Sequence, residues 1–193
     1  MEDKKIEIYN AGKQLFATKG FKDTGVSDIT KSAGVAVGTF YNYYPSKEKL
    51  FMEIYIDENA RHKKRLLASV DLNGEPLMVI KEITALNVRG MEADPILRQW
   101  FDPRVSGKLE RLFREENGID SVDFFYDMFL DLVRKWQAEG KMRSDIDSEM
   151  IMMCFAAIIN IELHKEEIGL KYFPQLLEYM MEFVMKGLTE GAE

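Results

Sequence analysis

The stretch Ala33-Gly34-Val35-Ala36-Val37-Gly38-Thr39-Phe40-Tyr41-Asn42-Tyr43-Tyr44-Pro45-Ser46-Lys47 decides the fold. It opens on a small-residue turn, Ala33-Gly34-Val35, and closes on Pro45, which cannot continue a helix. Between them the pattern predicts a short helix from about Val37 to Tyr44. Before the turn it predicts another, with Ser27 as N-cap and Ile29 and Ala33 on one side. Helices of about seven or eight residues do not hold alone. Two of them joined by a tight turn make a helix-turn-helix unit. Phe40, with Tyr44 one turn on, faces inward, so Thr39, Tyr41, Asn42 and Tyr43 face outward. Hydroxyls and amides placed there suit phosphates and base edges in a major groove. A pair of tyrosines makes a poor solvent face, which favours that reading over plain packing.

The flanks support the unit. Ile8, Ala11, Leu15 and Phe16 form one stripe of a first helix, and Gly20 after Lys19 is its stop. Gly12 inside that helix costs about 1 kcal/mol against Ala, so packing must hold it. Ser46 caps a fourth helix that carries Leu50, Phe51, Ile54 and Tyr55 and reaches about Leu67. Beyond Asn73-Gly74, helices are expected from Pro76 to about Gly90, Pro95 to Phe101, and Ser106 to Glu116. Three more follow: Ser121 (as cap) to Glu139, Ser148 to about Lys165 capped by Asp147, and Pro174 to Thr189. Strand signals are nearly absent. The fold expected is all-α, with about nine helices: an N-terminal three-helix helix-turn-helix domain, residues 1–48, and a larger helical domain, residues 49–193.

Composition bounds the function. The chain has 193 residues, with 26 Lys and Arg against 33 Asp and Glu, a net charge of −7. That total argues against coating nucleic acid by charge alone. Residues 1–51, however, hold eight basic and six acidic side chains, a balance of +2, which leaves −9 for the rest. A single cysteine, Cys154, excludes an intramolecular disulfide and reads as buried and inert. The start, Met1-Glu2-Asp3-Lys4-Lys5, has no apolar run behind it, so no signal peptide is expected. The longest apolar stretch, Met150 to Leu163, is interrupted by Asn160 and Glu162 and is about four residues short of a spanning helix. A cytoplasmic protein with no membrane partner is expected. There is no phosphate-binding Gly loop, nucleophile elbow or metal-ligand cluster. No enzyme activity, cofactor or metal is therefore expected, and Glu115-Glu116 and Glu166-Glu167 read as solvated helix faces.

Residues 4–51 resemble the DNA-binding segment of the tetracycline-repressor (TetR) family of bacterial regulators. The matching residues are Ile8, Ala11, Leu15-Phe16, Gly20-Phe21, Thr24-Gly25-Val26-Ser27-Asp28-Ile29, Ala33-Gly34-Val35, and the run from Gly38 to Phe51. Gly12, Thr30 and Tyr44 depart mildly from the usual residues, and Ala36 and Val37 are apolar where many members are polar. The resemblance implies that Thr39 and Asn42 meet base edges and that Tyr41 and Tyr43 bind phosphates. It implies that Ser27 and Lys47, at helix N-termini, clamp phosphates, which suits the free N–H groups and dipole there. It also implies that Gly38 lies close to the DNA backbone, with double-stranded operator DNA as the partner.

The remaining chain reads as a sensing and dimerisation region. Met150 to Leu163 is apolar on nearly every side, so both faces need cover. The last helix is also broadly apolar. The resemblance implies that these two helices pair across a two-fold axis in a homodimer. Ile151, Phe155, Ile158, Ile159, Glu162, Leu176, Tyr179, Met180 and Phe183 are the interface candidates. Met and aromatic side chains suit a cavity for a small hydrophobic effector. Its candidate lining is His62, Trp100, Phe101, Phe113, Phe125, Met128, Phe129, Met153 and Asn160. The function expected is a ligand-responsive transcriptional regulator, most simply a repressor binding a near-palindromic operator and released when effector shifts helix 4. The alternative is a helical interaction module whose helix-turn-helix docks a protein instead of DNA.

Overall fold

The computed structural model describes residues 2–102, 104–116, 123–162, 168–172 and 175–190. Nine α-helices and no strand occur among them. They are α1 Glu2–Lys19, α2 Val26–Ala33, α3 Val37–Tyr41, α4 Lys47–Ser69, α5 Pro76–Ala93, α6 Ser106–Glu115, α7 Asp123–Ala138, α8 Ser148–Glu162 and α9 Gln175–Thr189. Short 3₁₀ turns occupy Leu97–Phe101 and Leu170–Tyr172. The all-α expectation holds. The expected cap Ser121, and Glu166-Glu167, lie outside the described residues.

Two compact units divide the chain. The first comprises Met1–Arg65 and Asn87–Val122, the second Leu66–Leu86 and Asp123–Glu193. The packing division therefore runs differently from the functional boundary expected at 48/49.

In the first unit, α1 buries Ile8, Ala11 and Phe16, the face its spacing predicts. It ends at Gly20, whose φ of +84° suits glycine and whose N–H donates to the Phe16 carbonyl at 3.1 Å. Gly12 has its packing reason: a Cβ there would stand 2.7 Å from Leu50 Cδ2 on α4. Capping of α2 differs from expectation. Gly25 is the N-cap, its N–H donating to Asp28 Oδ2 at 3.2 Å, and Ser27 lies inside the first turn. The Asp28 carboxylate reaches back to the cap and makes the Ser27 hydroxyl unnecessary. Gly34, at φ +66°, ends α2, and Val35 N–H returns to the Thr30 carbonyl at 3.0 Å. The helix α3 is shorter than expected, since Asn42 and Tyr43 already form a turn. Phe40 and Tyr44 are buried, as predicted. Ser46 caps α4 as expected, its Oγ accepting the Lys49 N–H at 3.3 Å.

Aromatic rings run through this unit without a break. Phe51 on α4 touches Phe16 at 5.1 Å and Phe21 at 4.9 Å between centroids. It stacks on Tyr55 at 6.2 Å, Tyr55 stacks on Trp100 at 5.5 Å, and Trp100 meets Phe113 of α6 edge-on at 5.7 Å. Segment 97–113 thus shares one aromatic core with α1 and α4.

The second unit is built around Trp136 of α7, which is fully buried with Val133 and Ile151. Met185 and Leu188 of α9, Val79, Ile80 and Ile83 of α5, and Leu66 of α4 complete the cluster. Gly140, at φ +68°, stops α7 as expected, and Lys141 N–H returns to the Trp136 carbonyl at 2.9 Å. Asp147 caps α8, its Oδ1 accepting the Glu149 N–H at 2.9 Å.

Candidate DNA-reading surface and sensing region

Helix α3 presents one outward face. Val37 and Tyr41 are 48% and 54% exposed, Gly38 and Asn42 are exposed with them, and Thr39 and Tyr43 are half-buried at its margin. These positions recur at one and four residues, the spacing of a single helix side. Beneath them Phe40 anchors the helix, its ring edge-on to Tyr41 at 5.4 Å and 5.8 Å from Tyr44. A Cβ at Gly38 would meet nothing within 4 Å, so the protein's own packing does not require glycine there. Ser27 is exposed in the first turn of α2.

Lys47 has a different position from the one expected. Its ammonium folds back and donates to the carbonyls of Thr24 at 2.7 Å, Phe21 at 2.9 Å and Lys22 at 3.4 Å. It also lies 4.7 Å from the Phe21 ring centroid. Burial pushes its pKa down. The side chain therefore braces the loop between α1 and α2. The start of α4 still presents a helix N-terminus, a feature that in general suits anions. One signal was available in sequence: a cation in the first turn of a helix opposes the dipole, which suggests some other task. The neighbouring charges are tied as well. Glu48 accepts from Lys108 of α6 at 2.7 Å, and Lys49 pairs with Glu116. Glu116 is therefore not simply a solvated face.

Sequence reasoning missed Gln99. It is buried in the 3₁₀ turn. Its Oε1 accepts the Phe21 N–H at 2.6 Å, and its Nε2 donates to the carbonyls of Phe16 at 3.2 Å and Pro95 at 3.0 Å. Nothing in the local pattern distinguishes this glutamine, because its partners lie 78 and 83 residues away.

The residues expected to line an effector cavity are divided between the two units. Trp100 and Phe113 belong to the aromatic core of the first unit, and Phe101 is 39% exposed. His62 is buried rather than solvated. It packs against Gly90 of α5, where any Cβ would overlap its ring, and its Nε2 donates to the Asn87 carbonyl at 3.2 Å. Burial pushes the imidazole pKa down, with the Lys63 charge adding to the effect. Phe125, Met128 and Phe129 do lie together on α7 against the core of the second unit. Phe125 and Phe129 are 4.8 Å apart between ring centroids. Met153 is exposed, and the Asn160 side chain lies outside the described residues. Two surface clefts of about 360 and 370 Å³ lie in the first unit, and Phe101 lines the second of them.

The interface candidates divide in the same way. Ile151 and Phe155 are buried in the second unit's own core, and Ile158 is also buried. The outward side of α8 is Met150, Met153, Cys154 and Ala157 instead. A helix apolar all round gives no phase from sequence. Cys154 is accordingly exposed, not buried. On α9, Tyr179 and Phe183 are 51% and 66% exposed and stack at 6.1 Å, with Leu176 and Met180 half-buried beside them. The side chains of Ile159 and Glu162 lie outside the described ones.

Among the described residues no helix is long and apolar enough to cross a membrane, and no cluster of His, Cys, Asp and Glu could hold a metal ion. The architecture and the outward face of α3 define a helix-turn-helix unit followed by a larger helical region. Residues 8–54 match the family described as bacterial regulatory proteins, tetR family. The transcriptional repressor AcnR of Corynebacterium jeikeium is 23% identical over 159 residues, 82% of this chain and 79% of that protein. Among solved structures, RolR in complex with resorcinol superposes with a TM-score of 0.67, at 17% identity over 99% of this chain and 90% of that one. FadR from Bacillus subtilis in complex with stearoyl-CoA gives 0.55, at 19% identity over 96% and 98%. These two likenesses concern the fold. The family match lies in the helix-turn-helix segment, and relatives of the same kind align along most of the chain at lower identity.

Proposed function

We propose that the protein is a cytoplasmic repressor that binds a near-palindromic operator as a homodimer and is released by a small hydrophobic effector. Residues 1–48 would read DNA, and residues 49–193 would sense and dimerise. The observation that carries the reading is the outward face of α3. Tyr41 and Asn42 are exposed and a Cβ at Gly38 would meet nothing within 4 Å, on a helix whose anchor, Phe40, is fully buried. Tyr41 and Tyr43 hydroxyls serve phosphates, Thr39 and Asn42 serve base edges, and Gly38 admits the DNA backbone. Ser27 and the first turn of α4 supply further phosphate contacts through helix N-termini. The exposed rows on α8 and α9 support dimerisation through Met150, Met153, Tyr179 and Phe183. A dimer meets two half-sites about one helical turn or more apart.

An apolar effector is favoured by the Phe125, Met128 and Phe129 cluster, with the aromatic ligand of RolR and the fatty acyl ligand of FadR as precedents. No catalytic role is assigned to any residue. Selection of duplexes from random DNA by the purified protein at low salt tests the reading. The expected result is a two-fold-related sequence whose affinity falls steeply with salt. Tyr41→Phe and Tyr43→Phe should each weaken binding about fivefold, the worth of one net hydrogen bond. Failure to enrich any sequence would favour a helix-turn-helix that docks a protein.

A further inference from the structure

The loop between α1 and α2 leads into the helix-turn-helix, and the backbone groups of Phe21, Lys22 and Thr24 are held by side chains from outside it. Lys47 takes the carbonyls of Phe21, Lys22 and Thr24. Gln99 takes the Phe21 N–H at 2.6 Å and gives its own N–H to the Phe16 carbonyl at the end of α1. Lys47 belongs to α4, whereas Gln99 belongs to a separate stretch of chain. That stretch is stiff. Asp94 Oδ1 accepts the N–H groups of Ile96 at 2.8 Å and Leu97 at 3.0 Å, and the third Gln99 bond, to the Pro95 carbonyl, locks its side chain. Ile96 and Leu97 are fully buried, and Trp100 stacks on Tyr55. Residues 94–102 are therefore cross-braced, and Gln99 ties that segment to the Phe21 amide.

We infer that Gln99 is a positioning residue for DNA reading: its amide couples the 3₁₀ turn to the α1–α2 loop, so the state of the turn sets the pose of α3. The inference rests on the protein being an operator-binding regulator. The amide does this through geometry that few side chains can copy. It offers an acceptor and a donor at once, to the Phe21 N–H and to the Phe16 carbonyl, which also accepts the Gly20 N–H. Coupling follows from bonding that differs between two poses of the loop.

The experiment uses the full-length protein and the duplex recovered by selection. Gln99→Met keeps the length of the side chain and removes both bonding functions. Gln99→Glu keeps the acceptor for Phe21 and removes the donor to Phe16. Operator affinity should fall on the order of tenfold for the first and less for the second, with affinity for unrelated duplex unchanged. Hydrogen exchange followed by mass spectrometry supplies a readout that a merely structural cap would not move. In the parent, operator should slow exchange at 95–102 as well as at 26–42. In Gln99→Met it should slow only 26–42. Parent-like operator affinity in Gln99→Met, or no protection of 95–102 in the parent, overturns the inference. The second result needs no variant, so it decides even if the substitutions unfold the protein. If selection on the parent enriches no duplex, the regulator reading fails first and the inference falls with it.

Discussion

His62 is the residue whose environment differs most from its expected one. A histidine near the end of a long helix reads as solvated, yet it sits against Gly90, buried, with its charged form disfavoured. Its pKa in the folded chain lies below that of the unfolded chain. The unfolded state therefore binds more protons as pH falls through about 6.5, and folding stability drops there. The groups that face it are Lys63 and Arg65 on α4 and Asn87 on α5. Denaturant titrations from pH 7.5 to 5 should show this loss, and His62→Asn should flatten the slope. The glycine opposite gives a companion test. Gly90→Ala places a methyl group inside the imidazole ring's space, so it should destabilise by about 1–3 kcal/mol, although alanine favours helices. Equal or higher stability of that variant would mean that the two helices separate easily.

At the scale of elements, legibility followed periodicity. The stripe Ile8, Ala11, Phe16 and the inward pair Phe40 and Tyr44 are readable because these apolar residues recur at helical spacing. The stops at Gly20, Gly34 and Gly140 were readable because positive φ favours glycine. The run Met150 to Leu163 was not, since apolar residues occupy all sides and leave the phase open. Its inward side, Ile151 and Phe155, is fixed by Trp136 and Met185, which are remote in sequence. Within the candidate site, the outward face of α3 was legible. The brace by Lys47 and the tie by Gln99 were not, because their partners are backbone groups far along the chain. The exposed rows of α8 and α9 carry their own prediction. Phe183→Glu and Met153→Glu should each convert a dimer to a monomer by light scattering at micromolar concentration. Their melting should change little, because neither side chain belongs to the monomer's core. A dimer that survives both changes would place the interface elsewhere.

For the whole molecule, the charge arithmetic acquires a location. The net −7 conceals an N-terminal quarter that is slightly positive. Much of its lysine charge is already engaged: Lys47 on carbonyls, Lys49 on Glu116, Lys5 on Glu53 at 3.0 Å, and Lys13 on Glu58 at 2.5 Å. On the proposed reading, contact with DNA would fall to hydroxyls, amides and helix ends more than to free cations. A salt slope corresponding to only a few phosphates per subunit should result. The aromatic cores have an optical consequence. The chain holds two tryptophans, and the packing allots one to each unit: Trp100 among Tyr55 and Phe113, and Trp136 deep in the other core. Trp100→Phe and Trp136→Phe therefore yield single-emitter proteins, one reporting on the unit that carries the DNA-reading helices and one on the unit that carries α7 to α9. Emission followed through heating should trace two separate curves if the units melt apart and one shared curve if they melt together. The molecule thus carries an intrinsic, label-free spectroscopic channel for each of its halves.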